Sequence, residues 1–166
     1  MNKSISFKFK IFCLGLLLSI IPDLLNLNDN FSSDKSHVIP GLISRMHNHK
    51  NGRFLVWGSG DAKRDFLYIS DLVNAMDLML ERRLEGVVNI GTSTPVSIAE
   101  LAYKIRQYSR PNLDIGFDTS MPDGQSVRIM DCSKIKNIGW SPQIDLNTGL
   151  MKTIQWFVSN YQKVRL

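Results

Sequence analysis

Two arginines, a tryptophan, a histidine and an aspartate have side-chain types that could do chemistry together. Guanidinium forks at Arg45 and Arg64 can grip the oxygens of an anion, and the indole of Trp57 offers a stacking surface. His37 carries an imidazole that titrates near neutral pH and could exchange a proton. Asp123 stands in Pro122-Asp123-Gly124-Gln125, a composition that makes a turn. Each has an alternative without chemistry. Arg64 could pair with Asp61 or Asp65 at little energetic gain, Arg45 could line the wet side of a helix, and Trp57 could be core. His37 could sit at a helix start and Asp123 could be turn alone. His47-Asn48-His49 has the His-x-His form of some metal sites, but no third ligand stands at useful spacing, so a polar helix end is expected and a metal is not.

The elements that must position these groups alternate between helical and extended patterns. Ile39, Leu42, Ile43 and Met46 recur at helical spacing, which predicts a helix from about Ser36 to His47. Phe54-Leu55-Val56-Trp57 reads as a short strand, and Gly58-Ser59-Gly60 as a hairpin turn returning through an extended Asp65 to Ile69. Ser70 or Asp71 is expected to cap a helix striped with Leu72, Ala75, Met76, Met79 and Leu80. Val87-Val88-Asn89-Ile90 reads as a buried strand ending at Gly91. Ser97-Ile98-Ala99-Glu100 is a capping box ahead of a helix that stops before Pro111. Leu113, Ile115 and Phe117 alternate as in a strand, Asp131 caps a short helix closed by Gly139, and Leu146, Leu150, Ile154, Phe157 and Tyr161 mark a terminal helix.

Composition suits one globular α/β domain with a real core: 166 residues, 43% hydrophobic and 21% charged. Two distant cysteines, Cys13 and Cys132, give neither a CxxC pair nor a disulfide framework, which points to a reducing cytoplasm. No basic stripe with interleaved aromatics suggests nucleic acid. Residues 1–27 differ in kind. Lys3, Lys8 and Lys10 precede the apolar run Ile11 to Ile21, which Pro22-Asp23 breaks. The run imitates a signal peptide without a small-x-small cleavage site, and it is too short for a helix across a bilayer, which needs roughly 20 residues. The expectation is that 1–27 is a leader unrelated to the domain at 28–166, from a shifted reading frame or alternative start. An export signal or anchor and a native packing helix are the alternatives.

The stretch from Val56 to Leu72, with Arg64-Asp65-Phe66 at its centre, resembles the extended short-chain dehydrogenase/reductase superfamily. His37-Val38-Ile39-Pro40, Asn89-Ile90-Gly91-Thr92, Pro122-Asp123-Gly124-Gln125 and Gly139-Trp140-Ser141-Pro142 follow in that superfamily's order. With Asp29-Asn30-Phe31, they are most similar to the GDP-L-fucose synthase family, NADP-dependent epimerase/reductases acting on GDP-4-keto-6-deoxymannose. The resemblance implies the C-terminal, substrate-binding portion of an extended fold of this kind, lacking most of the Rossmann domain. It casts His37 as the catalytic acid/base of the epimerisation, beside the cofactor. It places Arg45, Trp57, Arg64 and Asp123 against the GDP-sugar, and Arg128 near a position that often carries a basic residue.

Two requirements of that chemistry are missing from the sequence. No GxxGxxG or GxGxxG offers a helix N-terminus to a dinucleotide pyrophosphate, and each of Tyr68, Tyr103, Tyr108 and Tyr161 has something other than lysine four positions on. NADP is therefore implied by the family but not expected to bind here, and hydride transfer by the chain alone is not expected. One functional expectation is a partial enzyme that retains part of the GDP-sugar pocket. Another is a binding module completed by a separately encoded Rossmann half, and a third is another nucleotide-sugar epimerase/dehydratase.

Overall fold

The computed structural model describes residues 23–26, 29–32 and 36–164. In chain order the strands are β1 (Asp23–Leu25), β2 (Phe54–Trp57), β3 (Lys63–Arg64), β4 (Phe66–Tyr68), β5 (Val96–Ser97), β6 (Ile115–Asp118) and β7 (Val127–Arg128). The helices are α1 (Val38–Asn48), α2 (Ile69–Glu81), α3 (Ile98–Ser109), α4 (Ser133–Lys136) and α5 (Leu146–Asn160), with a 3-10 turn at Tyr161–Lys163. The class is α/β, as the alternating periodicities predict.

Three small sheets organise the strands. β1 and β4 pair in parallel, with Leu24 beside Leu67 and Leu25 beside Tyr68. β2 and β6 also pair in parallel, from Phe54 beside Ile115 to Trp57 beside Asp118. β3 lies between antiparallel β5 and parallel β7. Because successive side chains point to opposite faces, the β1–β4 pair divides two apolar clusters. Leu25, Phe66 and Tyr68 join the larger one with Ile43 and Met46 of α1, Leu101 and Ile105 of α3, and Leu150, Ile154 and Phe157 of α5. Leu67 joins the smaller one with Ala75 and Met79 of α2, Ile90, Ile135 and Trp140. Each large aliphatic side chain taken wholly out of water contributes about 2 kcal/mol, so the helical stripes are what hold these short ladders together.

Helix ends follow local chemistry. Ser97 Oγ accepts the Glu100 N–H at 3.0 Å, as the capping box predicts. Asp131 accepts the Ser133 N–H at 2.9 Å ahead of α4, and Gly139, at φ +91°, closes the turn behind it. α2 differs from expectation. Its N-cap is Tyr68, with no side-chain cap, and Asp71 is buried inside the first turn, where it accepts the Ile144 N–H at 2.9 Å. A carboxylate that deep is worth more tying two segments together than capping its own helix.

Two further expectations are corrected. Val87–Ile90 runs without a ladder partner: Lys134 Nζ takes the Glu85 and Val87 carbonyls at 2.6 and 3.2 Å, and Asn89 donates to the Asp131 carbonyl at 3.0 Å. Val88 and Ile90 are buried nonetheless, so the apolar pattern reports burial and not pairing. Gly58-Ser59-Gly60 is not a hairpin turn either, because β2 pairs with β6 while β3 pairs with β5 and β7. The turn carries the chain from one sheet to another. The expected break after Leu27 also has structure on its upstream side: Asp23–Leu25 forms β1, and Leu25 is buried. The apolar run at 11–21 lies outside the described residues. Among the described residues, no helix is long and apolar enough to cross a membrane.

α5 offers a pH test. Asp145 accepts the Thr148 N–H at 2.9 Å and the Thr148 hydroxyl at 3.0 Å, and these bonds, the backbone one first, hold its carboxyl below the usual range. A carboxylate with a depressed folded pKa stabilises the fold above its unfolded pKa, and that contribution disappears as pH falls through the folded value. Asp145→Ala is expected to cost about 1 kcal/mol at neutral pH in urea unfolding, with the difference from wild type closing below about pH 4.

Candidate functional site

The alternation of β2 buries Phe54 and Val56 and leaves Leu55 and Trp57 outside, with Trp57 57% exposed. Arg45, in the last turn of α1, reaches across this strand. Its guanidinium carbon lies 5.1 Å from the Phe54 ring centroid and 4.8 Å from that of Trp57, and Nη2 donates to the Leu55 carbonyl at 2.7 Å. Burial pulls its pKa below the ordinary value, though an arginine there stays charged.

Beyond Trp57 the chain turns at Gly58, at φ +81°, and Asp123 closes over it. The Asp123 carboxylate accepts the Ser59 N–H at 2.5 Å. A β-carbon on Gly58 would run into that carboxylate and would come within 3.3 Å of the Asp123 Cα. The Pro122–Gln125 turn is thereby clamped to the end of β2, and Asp123 does more than shape its own turn.

Arg64 meets the same turn from the other side. Its Nη1 donates to its neighbour's carbonyl, Lys63 O, at 2.8 Å and to Gln125 O at 2.7 Å. Parallel pairing of β3 with β7 sets Arg64 directly beside Arg128. Two guanidinium groups on adjacent strands repel, and an anion between them would relieve that repulsion. Asp65 is not the partner of Arg64. It is buried, 3% exposed, and accepts the Thr92 N–H at 3.2 Å, the Thr92 hydroxyl, and the Ser93 N–H at 2.9 Å. Sequence reasoning missed Asp65 as an organising residue, although Arg64-Asp65-Phe66 was its signal.

These contacts draw together the segments that carry Trp57, Asp123, Arg64 and Arg128, with Arg45 against the indole. His37 stands at the opposite end of α1 from Arg45. It is exposed at the N-cap, its side chain caps nothing, and it stands eight residues ahead of Arg45, roughly 12 Å along the helix axis. His47 packs edge-on against Phe157, while His49 contacts the Gly52 carbonyl at 3.0 Å, so the two point into different surroundings. Among the described residues there is no group of three or more His, Cys, Asp or Glu able to hold a metal.

The sequence model of the NAD dependent epimerase/dehydratase family matches residues 20–91. The chain is 39% identical to GDP-L-fucose synthase 1 of Arabidopsis thaliana over 138 residues, 80% of this chain and 42% of that protein. It is 34% identical to GDP-L-fucose synthase of Escherichia coli (strain K12) over 161 residues, 89% of this chain and 50% of that protein. Its backbone matches the crystal structure of a GDP-L-fucose synthetase from Naegleria fowleri bound to NADP, with a TM-score of 0.78, 27% identity, and coverage of 88% of this chain and 47% of that one. This is part of an extended short-chain dehydrogenase/reductase fold. The chain spans half or less of the length of these curated relatives. The family match starts at residue 20, so β1 lies inside it.

In this partial dehydrogenase/reductase fold the turn at Gly58–Gly60 is not a cradle for a dinucleotide pyrophosphate. Gly58 and Gly60 supply positive φ but lead into the two-residue strand β3, where no helix N-terminus waits for phosphate. Gly58 serves the Asp123 clamp, and Gly60 leaves room for the Phe117 ring and Ala99. Gly58→Ala is expected to destabilise the chain in urea unfolding by about 2 kcal/mol or more, because strain and the displaced Asp123 add together. Gly52→Ala is the control: Gly52 also has positive φ, at +80°, but a β-carbon there meets nothing within 4 Å. It should cost only about 1 kcal/mol.

Proposed function

We propose that the chain is the nucleotide-sugar-binding portion of a GDP-L-fucose synthase-type epimerase/reductase, keeping part of the GDP-sugar pocket and inactive alone. The observation that carries this reading is the pairing of Arg64 with Arg128 beside the Asp123 clamp and the exposed Trp57. Two guanidinium groups suit a diphosphate, and an indole 57% exposed at the end of β2 suits a planar base. The relatives named GDP-L-fucose synthase point to guanosine as the nucleoside. His37 is the inherited acid/base position, idle without a cofactor-bearing domain. NADP belongs to the whole family activity, and this chain lacks the glycine-rich turn and the Tyr-x-x-x-Lys pair that would use it. The working compartment is the cytoplasm.

A second reading has its own observation. Parallel sheets normally lie inside larger sheets, and β1–β4 is a two-stranded parallel pair with apolar clusters on both faces. Such a pair is suited to extension by a separately encoded Rossmann half that would restore the site across two chains.

Calorimetric titration with GDP tests the first reading. Binding is expected for wild type, about tenfold weaker for Arg64→Met and for Arg128→Met, and less dependent on salt in both variants. Absence of GDP binding, or variants that bind as well as wild type, would refute it. With GDP-4-keto-6-deoxymannose the isolated chain is expected to oxidise no NADPH, and measurable turnover would overturn the claim of inactivity.

A further inference from the structure

The fold places Arg45 where a diphosphate contact is expected, yet its guanidinium is already committed inside the chain. Nη2 holds the Leu55 carbonyl at 2.7 Å, and the group lies against two rings at once, 5.1 Å from the Phe54 centroid and 4.8 Å from that of Trp57. Turning outward to a phosphate would break a charge-assisted hydrogen bond and two cation–π contacts together. Trp57 remains largely exposed despite this backing. Its backbone is fixed between the β2–β6 ladder and the clamp that Asp123 places on the next two residues. The indole is therefore held by its backbone and by Arg45, with much of its surface open.

We propose that Arg45 is a positioning residue, which holds the Trp57 indole as a preformed platform for the planar base of a nucleoside diphosphate and leaves the phosphates to Arg64 and Arg128. This rests on the nucleotide-binding reading above. Arg64 differs from Arg45 in having no ring contact among the described residues: its Nη1 donates to the Lys63 and Gln125 carbonyls, and its neighbour across the ladder is Arg128. Lysine cannot replace Arg45 here. An ammonium keeps the charge but lacks the planar fork that lies on a ring while donating sideways to a carbonyl.

The test compares Arg45→Lys and Arg45→Met with wild type, using GDP and inorganic pyrophosphate as probes. The chain has three tryptophans, so its indole N–H resonances can be followed singly, with that of Trp57 assigned by its loss in Trp57→Phe. In both ligand-free variants the Trp57 resonance is expected to move while those of Trp140 and Trp156 stay, which also shows that the variants are folded. GDP should bind about tenfold more weakly to both, and pyrophosphate within about twofold of wild type. A stationary Trp57 resonance overturns the proposal. So does equal weakening of GDP and pyrophosphate, which would make Arg45 a direct phosphate contact, or full GDP affinity in Arg45→Lys. Should wild type bind neither probe, the nucleotide reading fails, and the indole resonances still decide whether Arg45 holds Trp57.

Discussion

The buried carboxylate of Asp65 is the constraint on which the rest depends. It is the single residue between β3 and β4, which belong to different sheets: one carries the arginine surface, the other divides the two apolar clusters. A carboxylate in such a place is costly unless its oxygens are met, and the Thr92 and Ser93 backbone N–H groups and the Thr92 hydroxyl meet them. Ser93 accepts a positive φ of 59° in the process. Gly91 is required there as well, since a β-carbon would come within 2.5 Å of the Asp65 carboxylate. With Asp65 held, the neighbour on one side, Phe66, enters the core, and the neighbour on the other, Arg64, reaches the Gln125 carbonyl. Orientation of the cationic surface is thus set by an interaction inside the protein.

From that joint the surface is assembled by short-range devices. The Asp123 clamp on Gly58 and Ser59 brings the loop after β6 to the end of β2, and the β3–β7 pairing then sets Arg128 beside Arg64. None of these contacts involves a group that moves hydride. In the proposed reading the chain recognises a nucleotide sugar without transforming it, a division that follows from which residues it contains. Two surface grooves lie elsewhere, one lined by Tyr68, Lys152 and Trp156 and the other by Tyr103, Arg106 and Pro111. Neither contains the arginine pair.

Much of the fold was legible because the signals were local. The i, i+3, i+4 spacing in α1 and α3, the alternation in β2 and the Ser97 cap need no knowledge of distant partners. What failed was whatever depends on partners far along the chain. Val87–Ile90 has the composition of a strand, but Lys134 and Asp131, more than forty residues on, take its polar groups. The glycines at 58 and 60 signal a reversal without saying which sheet lies on each side. Asp71 looked like a cap because its use by the Ile144 N–H is invisible in sequence. For the candidate site, the family resemblance pointed to Arg45, Trp57, Arg64 and Asp123, whereas the commitment of Arg45 to Leu55 and two rings emerged only from the packing. Motif order singles out His37, which stands exposed at the start of the helix that carries Arg45 in its last turn.

Backbone amide chemical-shift mapping with GDP on the isotopically labelled chain tests the central claim most directly. The account predicts perturbations concentrated at Trp57–Arg64 and at Asp123–Arg128, two segments far apart in sequence that the Asp123 clamp and the β3–β7 pair bring together. Perturbations confined to other surfaces, such as the groove at Tyr103 and Arg106, or none at saturating GDP, would contradict it.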